Sequence, residues 1–131
     1  MRKILFRGKT KNGCWAEGNL LVYPDVNRVY IQNGDYFKGG AVEVERDSVG
    51  QFTGMTDKTG NRIFEGDIVS FKRVNALGYT TSRIGAVRYF SELPVFYIMA
   101  TTGDAWDWYQ CQEIKVIGNV WDHPELLKDG V

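Results

Sequence analysis

Arg28-Val29-Tyr30-Ile31-Gln32 sets the terms of the fold. In an extended chain Val29 and Ile31 fall on one side and Arg28, Tyr30 and Gln32 on the other, the two-residue period of a strand with one buried face. Upstream, Lys3 to Arg7 reads as a short strand, and Lys9-Thr10-Lys11-Asn12-Gly13 as its turn, because Asn-Gly tolerates positive φ. A second strand is expected over about Cys14 to Tyr23, with Gly18 marking a bulge, before Pro24-Asp25-Val26-Asn27 turns the chain. Downstream, Asn33-Gly34-Asp35 and Gly39-Gly40 bracket a loop carrying Tyr36 and Phe37, and two strands follow at about Ala41 to Val44 and Ser48 to Thr53.

After Gly54 the segment Met55-Thr56-Asp57-Lys58-Thr59-Gly60-Asn61-Arg62 is polar and rich in turn formers, which makes it the internal boundary. It is too short for a free linker, so residues 1–54 and 55–131 are expected to be two packed β lobes of one compact unit. The second lobe reads as strands over Ile68 to Val74, about Arg83 to Phe90, Val95 to Met99, and Glu113 to Trp121. Between the last two lies the aromatic segment Trp106-Asp107-Trp108-Tyr109. Asp122 as N-cap, Pro124 in the first turn, Leu126 and Leu127 as packing face and Gly130 as C-cap suggest one short C-terminal helix. The expected fold is therefore mainly β, its C-terminal lobe a small SH3-like barrel or roll ending in that helix.

Composition agrees and narrows the function classes. Of the 131 residues, 44% are apolar and 24% charged, so neither a disordered nor a fibrous chain fits. Aromatics at 14% favour strands, and 15 glycines favour turns. Sixteen basic residues balance sixteen acidic ones, which lowers the expectation of nucleic-acid binding, whose affinity draws on clustered cations. The charge is uneven: Arg2, Lys3, Arg7, Lys9 and Lys11 crowd the first eleven residues, whereas residues 101–131 hold six acids against Lys115 and Lys128. No segment approaches the ~20 apolar residues of a membrane span. Arg7, Lys9 and Lys11 interrupt the N-terminal apolar run too early for a signal peptide, so a cytoplasmic protein is expected. Cys14 and Cys111 lie far apart and read as free thiols.

Three ordered segments resemble the YopX family. They are Phe6-Arg7-Gly8-Lys9 with Gly13-Cys14-Trp15 and Glu17-Gly18-Asn19-Leu20; then Asp57-Lys58-Thr59-Gly60 with Ile63-Phe64-Glu65-Gly66-Asp67-Ile68-Val69 and Phe71; then Val116-Ile117-Gly118-Asn119-Val120 with Pro124-Glu125-Leu126-Leu127. Cys14 stands where a polar residue is more usual, and the loop from Asn75 to Thr81 is idiosyncratic. The resemblance implies an intracellular bacteriophage or prophage protein with a β-rich, barrel-like fold and self-association. It brings no established activity, cofactor or catalytic residue.

The residues themselves argue for structure over chemistry. Asp57 and Gly60 suit a tight turn, and in Glu65-Gly66-Asp67 the glycine permits a corner that Asp67 holds through backbone amides. Glu65 and Asp67 are also the strongest carboxylate pair for Mg²⁺ or proton chemistry, a reading that turn capping outweighs. His123 is the single histidine, expected at the surface of the helix start, and no phosphate loop, dinucleotide turn or nucleophile elbow occurs. No cofactor or metal is expected. Trp106, Trp108 and Tyr109, beside Asp104 and Asp107, form a candidate partner surface. Lys72, Arg73, Arg83 and Arg88, with Tyr79, Tyr89 and Phe90 nearby for stacking, form a candidate nucleic-acid contact. The leading expectation is a non-catalytic phage or prophage binding or assembly protein, docking on itself or on a host or phage protein. The alternative is a nucleic-acid-binding small barrel.

Overall fold

The computed structural model describes residues 3–34, 38–92 and 94–128. Arg2, the loop positions Tyr36 and Phe37, and the C-cap candidate Gly130 lie outside the described residues. The chain divides into two compact units, Met1–Gly54 and Met55–Val131.

In the first unit, β1 (Phe6–Lys9), β2 (Trp15–Tyr23), β3 (Arg28–Gln32), β4 (Ala41–Val44) and β5 (Gly50–Thr56) pair antiparallel in the order β4-β3-β2-β1-β5. The last two residues of β5 belong to the second unit. The alternation in β3 is realised directly: Val29 and Ile31 are buried and, with Val44, form a small core edged by Phe6, Ala16, Leu20 and Val49. Gly13 takes φ 87° in the first hairpin, as Asn-Gly requires.

Gly18 is not a bulge. It sits in unbroken register opposite Phe6, and a Cβ there would lie 2.1 Å from the Gln32 carbonyl oxygen. The glycine admits the close approach of a neighbouring strand's backbone.

The second unit holds β6 (Arg62–Phe64), β7 (Asp67–Val74), β8 (Thr80–Phe90), β9 (Val95–Ala100), β10 (Ala105–Asp107) and β11 (Gln112–Asn119). Five of these form one antiparallel sheet in the order β10-β9-β8-β7-β11. The mainly β expectation is met, but the C-terminal sheet is open, with β10 and β11 as its two edges, so no barrel closes.

Directly opposed residues share a face. Val69, Phe71, Val87, Ile98 and Ala100 therefore line the inner face, where they pack with Ile63 and Cys111 as the unit's core. The register slips between Val116 and Gly118, so β11 is irregular at this point.

The expected C-terminal helix is a single 3-10 turn, Pro124–Leu127, with His123 rather than Asp122 as its N-cap. Four residues starting on proline cannot build an α-helical hydrogen-bond ladder. The turn lies against β8, and His123 and Leu126 sit over Gly118, where a Cβ would come within 2.8 Å of His123 Nδ1.

Gly18→Ala tests the close approach. At an unconstrained position with ordinary φ this change stabilises by about 0.4–1 kcal/mol. Here it is expected to destabilise by about 1–3 kcal/mol, as overpacking does, read as a lower denaturant midpoint at unchanged slope.

Candidate functional site

The four cations expected to form one nucleic-acid contact are divided by the sheet. Phe71 opposes Arg83 and Arg73 opposes Thr81, which puts Arg73 and Arg83 on the inner face. Lys72 opposes Ser82 and Arg88 opposes Tyr97, which puts Lys72 and Arg88 on the outer face. Arg73 stacks over the Trp106 ring at 3.9 Å. Lys72 pairs with Glu113 at 2.9 Å. Glu113 adopts φ 51°, and its carboxyl is held below the usual range by the Lys72 hydrogen bond, then by the charges of Lys72 and Lys58. Of the stacking candidates, Tyr89 packs on Phe96 with ring centres 5.1 Å apart, and Tyr79 is exposed in its loop.

The aromatic candidates separate in the same way. Trp106 and Trp108 are half-buried against the core, and only Tyr109, 82% exposed, faces solvent. Asp107 caps the 3-10 turn Trp108–Gln110: its carboxylate accepts from the Gln110 amide, while the Gln110 side chain accepts from the Asp107 amide at 3.0 Å. Asp104 is held below its usual pKa first by the Thr102 hydroxyl, with smaller help from Trp106 and Arg83. Burial, then the Asp107 charge, pushes the Cys111 thiol up to about 11, which makes it a poor nucleophile.

The turn carboxylates are working parts of the backbone. Asp57 is 6% exposed, and one of its oxygens accepts from the Thr59 amide (2.9 Å), the Thr59 hydroxyl (2.8 Å) and the Asn61 amide (2.9 Å). The other accepts from the Val116 amide at 2.9 Å, tying the turn to β11. The Lys58 amide donates to Ile114 at 2.9 Å beside it, and Gly60 closes the turn at φ 89°.

Burial alone would raise the Asp57 pKa, but hydrogen bonds from Val116, Asn61 and Thr59 outweigh it, and the group titrates at about 2. Asp67 is 1% exposed and accepts from the Phe64 amide at 2.7 Å. Between it and Glu65, Gly66 turns at φ 91°, donates to Val87 (2.9 Å) and accepts from Val120 (2.8 Å).

Glu65 and Asp67 do not gather a third ligand: among the described residues no three His, Cys, Asp or Glu side chains converge on a metal position. His123 is half-buried rather than at the surface, and its Nδ1 accepts from the Asn119 amide at 3.2 Å. Asn119 in turn accepts from the amides of Trp121 (3.1 Å) and Asp122 (2.8 Å).

The YopX protein family model matches residues 5–128. The chain belongs to the YopX family. A solved structure similar to it is that of protein EF1440 from Enterococcus faecalis, with 23% identity, 97% of this chain and 99% of that one covered, and a TM-score of 0.56. At that identity the likeness concerns the fold. No curated protein sequence matches the chain.

Two of the three segments that carry the YopX resemblance hold polar side chains that fix corners: Asp57 and Asp67 in the second, and Asn119 in the third. Sequence reasoning named Phe90 for base stacking and Asp107 beside the tryptophans, but it missed the surface they share on the outer face. Phe90, Val95, Tyr97, Met99, Ala105 and Asp107 line an open groove of about 390 Å³. Phe90 and Val95 are 41% and 47% exposed. The signal was present in Val95-Phe96-Tyr97-Ile98-Met99, which is apolar at every position and so leaves apolar surface on both faces. Among the described residues no helix is long and apolar enough to cross a membrane.

Asp57→Asn is expected to cost about 2 kcal/mol of stability at neutral pH, from a shift of nearly two pKa units. Because the folded pKa is depressed, this stabilisation is complete above the unfolded value of about 3.8 and disappears as pH falls through about 2. Paired urea melts at pH 7 and pH 2 should show the gap between wild type and variant closing.

Proposed function

We propose that the protein is a non-catalytic binding or assembly protein of a bacteriophage or prophage, acting in the host cytoplasm and docking through the outer face of its C-terminal sheet. The observation that carries this reading is the groove of Phe90, Val95, Tyr97, Met99 and Ala105. Exposed apolar surface of this kind, rimmed by charge, favours a protein partner. The phage setting rests on the resemblance of the signature segments.

The edges of that sheet are poor docking sites. β10 is three residues long, and the Asp57 turn bonds to β11 from its open side. Short strands and covered edges are ways of blocking strand addition. The face is what is left.

Chemistry finds less support. Asp57 and Asp67, the buried carboxylates, accept backbone amides, and the Cys111 thiol is held protonated. Nucleic-acid binding also draws little: the four candidate cations lie two on each face, Lys72 is engaged by Glu113 and Arg73 by Trp106.

Val95→Glu tests the reading, since a surface change at an exposed position alters stability by only about 0.5 kcal/mol. Immobilised wild type and variant would be compared for partners retained from cells carrying the phage, and for self-association. At least a tenfold loss of a specific partner in the variant is expected. Retention unaffected by Val95→Glu would contradict the assignment of this face.

A further inference from the structure

The first unit gathers on one face the aromatic rings and cations that the second unit divides, and we infer that this face binds single-stranded nucleic acid. The inference goes beyond the docking reading and uses another part of the chain.

The register unites the residues. Val29 and Ile31 are buried, so Arg28 and Tyr30 stand on the outer face of β3. Tyr30 opposes Leu21 on β2 and Glu43 on β4, and Arg28 opposes Tyr23. Trp15, Glu17, Leu21 and Tyr23 alternate to that same side of β2, where Trp15 opposes Lys9 and Glu17 opposes Arg7 on β1. Trp15, Tyr23 and Tyr30 therefore share one face with Arg7, Lys9 and Arg28. The cations of the second unit lack this arrangement, two lying on each side of their sheet.

Tyr23, Val26, Arg28, Tyr30 and Ala41 line an open groove of about 440 Å³. Tyr23 is 38% exposed and Val26 63%. The two tyrosine rings meet edge to face, with centres 5.5 Å apart and planes at 89°. In such a pair the ring that gives its edge keeps both faces clear of the other, so one tyrosine offers a flat surface to a base. Bases in a duplex are already stacked, which makes the groove selective for single strands.

One carboxylate serves two cations beside the groove. Glu43 lies 3.3 Å from Lys11 Nζ and 3.7 Å from Arg28 Nε, and the trio keeps an excess positive charge. The Lys11 and Arg28 side chains are 67% and 57% exposed, within reach of a phosphate. Arg7 and Lys9 sit over the Trp15 ring, at 4.8 and 5.8 Å from its centre. Cation–π contact preserves their charge and sets it beside a ring, the combination that single-strand sites use. From Trp15 to Tyr23 the strand spans at most roughly 26 Å, longer than one nucleotide, so a polymer matches the face better than a free nucleotide. Glu17, opposite Arg7, and Asp25 and Glu45, next to the groove residues in sequence, temper the attraction and keep the affinity modest and salt-dependent.

The test is fluorescence anisotropy of the full chain with labelled oligothymidylate and oligouridylate of about 15 nucleotides, within the usual range of single-strand site sizes. Thymidine monophosphate, a duplex of equal length and polyglutamate serve as competitors. Binding is expected at low salt, weakening roughly tenfold between about 50 and 200 mM, as about three phosphate contacts require. Tyr30→Leu should weaken it at least about fivefold through lost stacking. Arg28→Gln should lower the slope of log affinity against log salt by about 0.7, a change that a purely structural role would not produce. Arg88→Gln, in the second unit, should leave affinity and slope unchanged.

Thermal melts accompany the variants, and Tyr23→Leu replaces Tyr30→Leu if the latter does not fold. Absence of binding to either oligonucleotide at low salt overturns the inference. So does polyglutamate or duplex competing as well as the single strand, since charge alone would then suffice. Folded variants that bind like wild type, or a loss confined to Arg88→Gln, overturn it too. Thymidine monophosphate competing as strongly as the oligomer would replace the polymer by a free nucleotide and sink the single-strand claim. Any of these failures leaves the Val95→Glu experiment, and the docking reading it tests, untouched.

Discussion

The carboxylate of Asp57 is the constraint on which the second unit's architecture depends. Its two oxygens face in different directions, one into the turn it begins and the other onto β11, 59 residues later in the chain. A backbone amide on an open sheet edge would otherwise need water, and burial without a partner costs on the order of 1–3 kcal/mol. With Asp57 in place, the Val116 amide is satisfied and the Lys58 amide pairs with Ile114 alongside. The turn thus acts as a cover for an edge strand. The depressed pKa has the same origin, since amides aimed at the oxygens favour the charged form.

Once that edge is covered and β10 is short, the sheet has only its faces to offer. The inner face is spent on Val69, Phe71, Val87 and Ile98, all buried. The outer face divides along its length. The Gly118 end lies under the terminal turn, where absence of a side chain makes room for His123 and Leu126. The other end leaves apolar groups at the surface. A folded surface tolerates scattered exposed apolar residues, but a contiguous apolar strip is the pattern of a contact surface.

How much of this could be read from the chain depends on whether the cause was local. The alternation of Arg28 to Gln32 gave β3 its limits without help from any partner. Asp57 and Gly60 declared a turn because Asp and Gly have few other combined uses. The link from Asp57 to Val116 was not legible, since nothing near Asp57 names an amide so distant in sequence. Gly18 and Gly118 look alike in the sequence, yet one admits a strand's carbonyl and the other makes room for the terminal turn; only the element packed against each decides.

Barrel closure failed as an expectation for the same reason, because it depends on which strands meet at the ends of the sheet. The splitting of Lys72 from Arg73 was legible and overlooked: adjacent residues in a strand always face opposite ways. Trp106 and Trp108 both reach the core, and this too was legible, since residues two apart in an extended chain share a face.

Amide hydrogen exchange at Val116, in wild type and in Asp57→Ala, measures the central constraint most directly. An amide on the open side of an edge strand exchanges fast unless something holds it. Val116 should be protected in wild type. In the variant it should lose at least about tenfold more protection than Val87 and Ile98 in the sheet interior, where global opening sets the rate. A Val116 amide already unprotected in wild type, or one that changes only in step with Val87 and Ile98, would contradict the account.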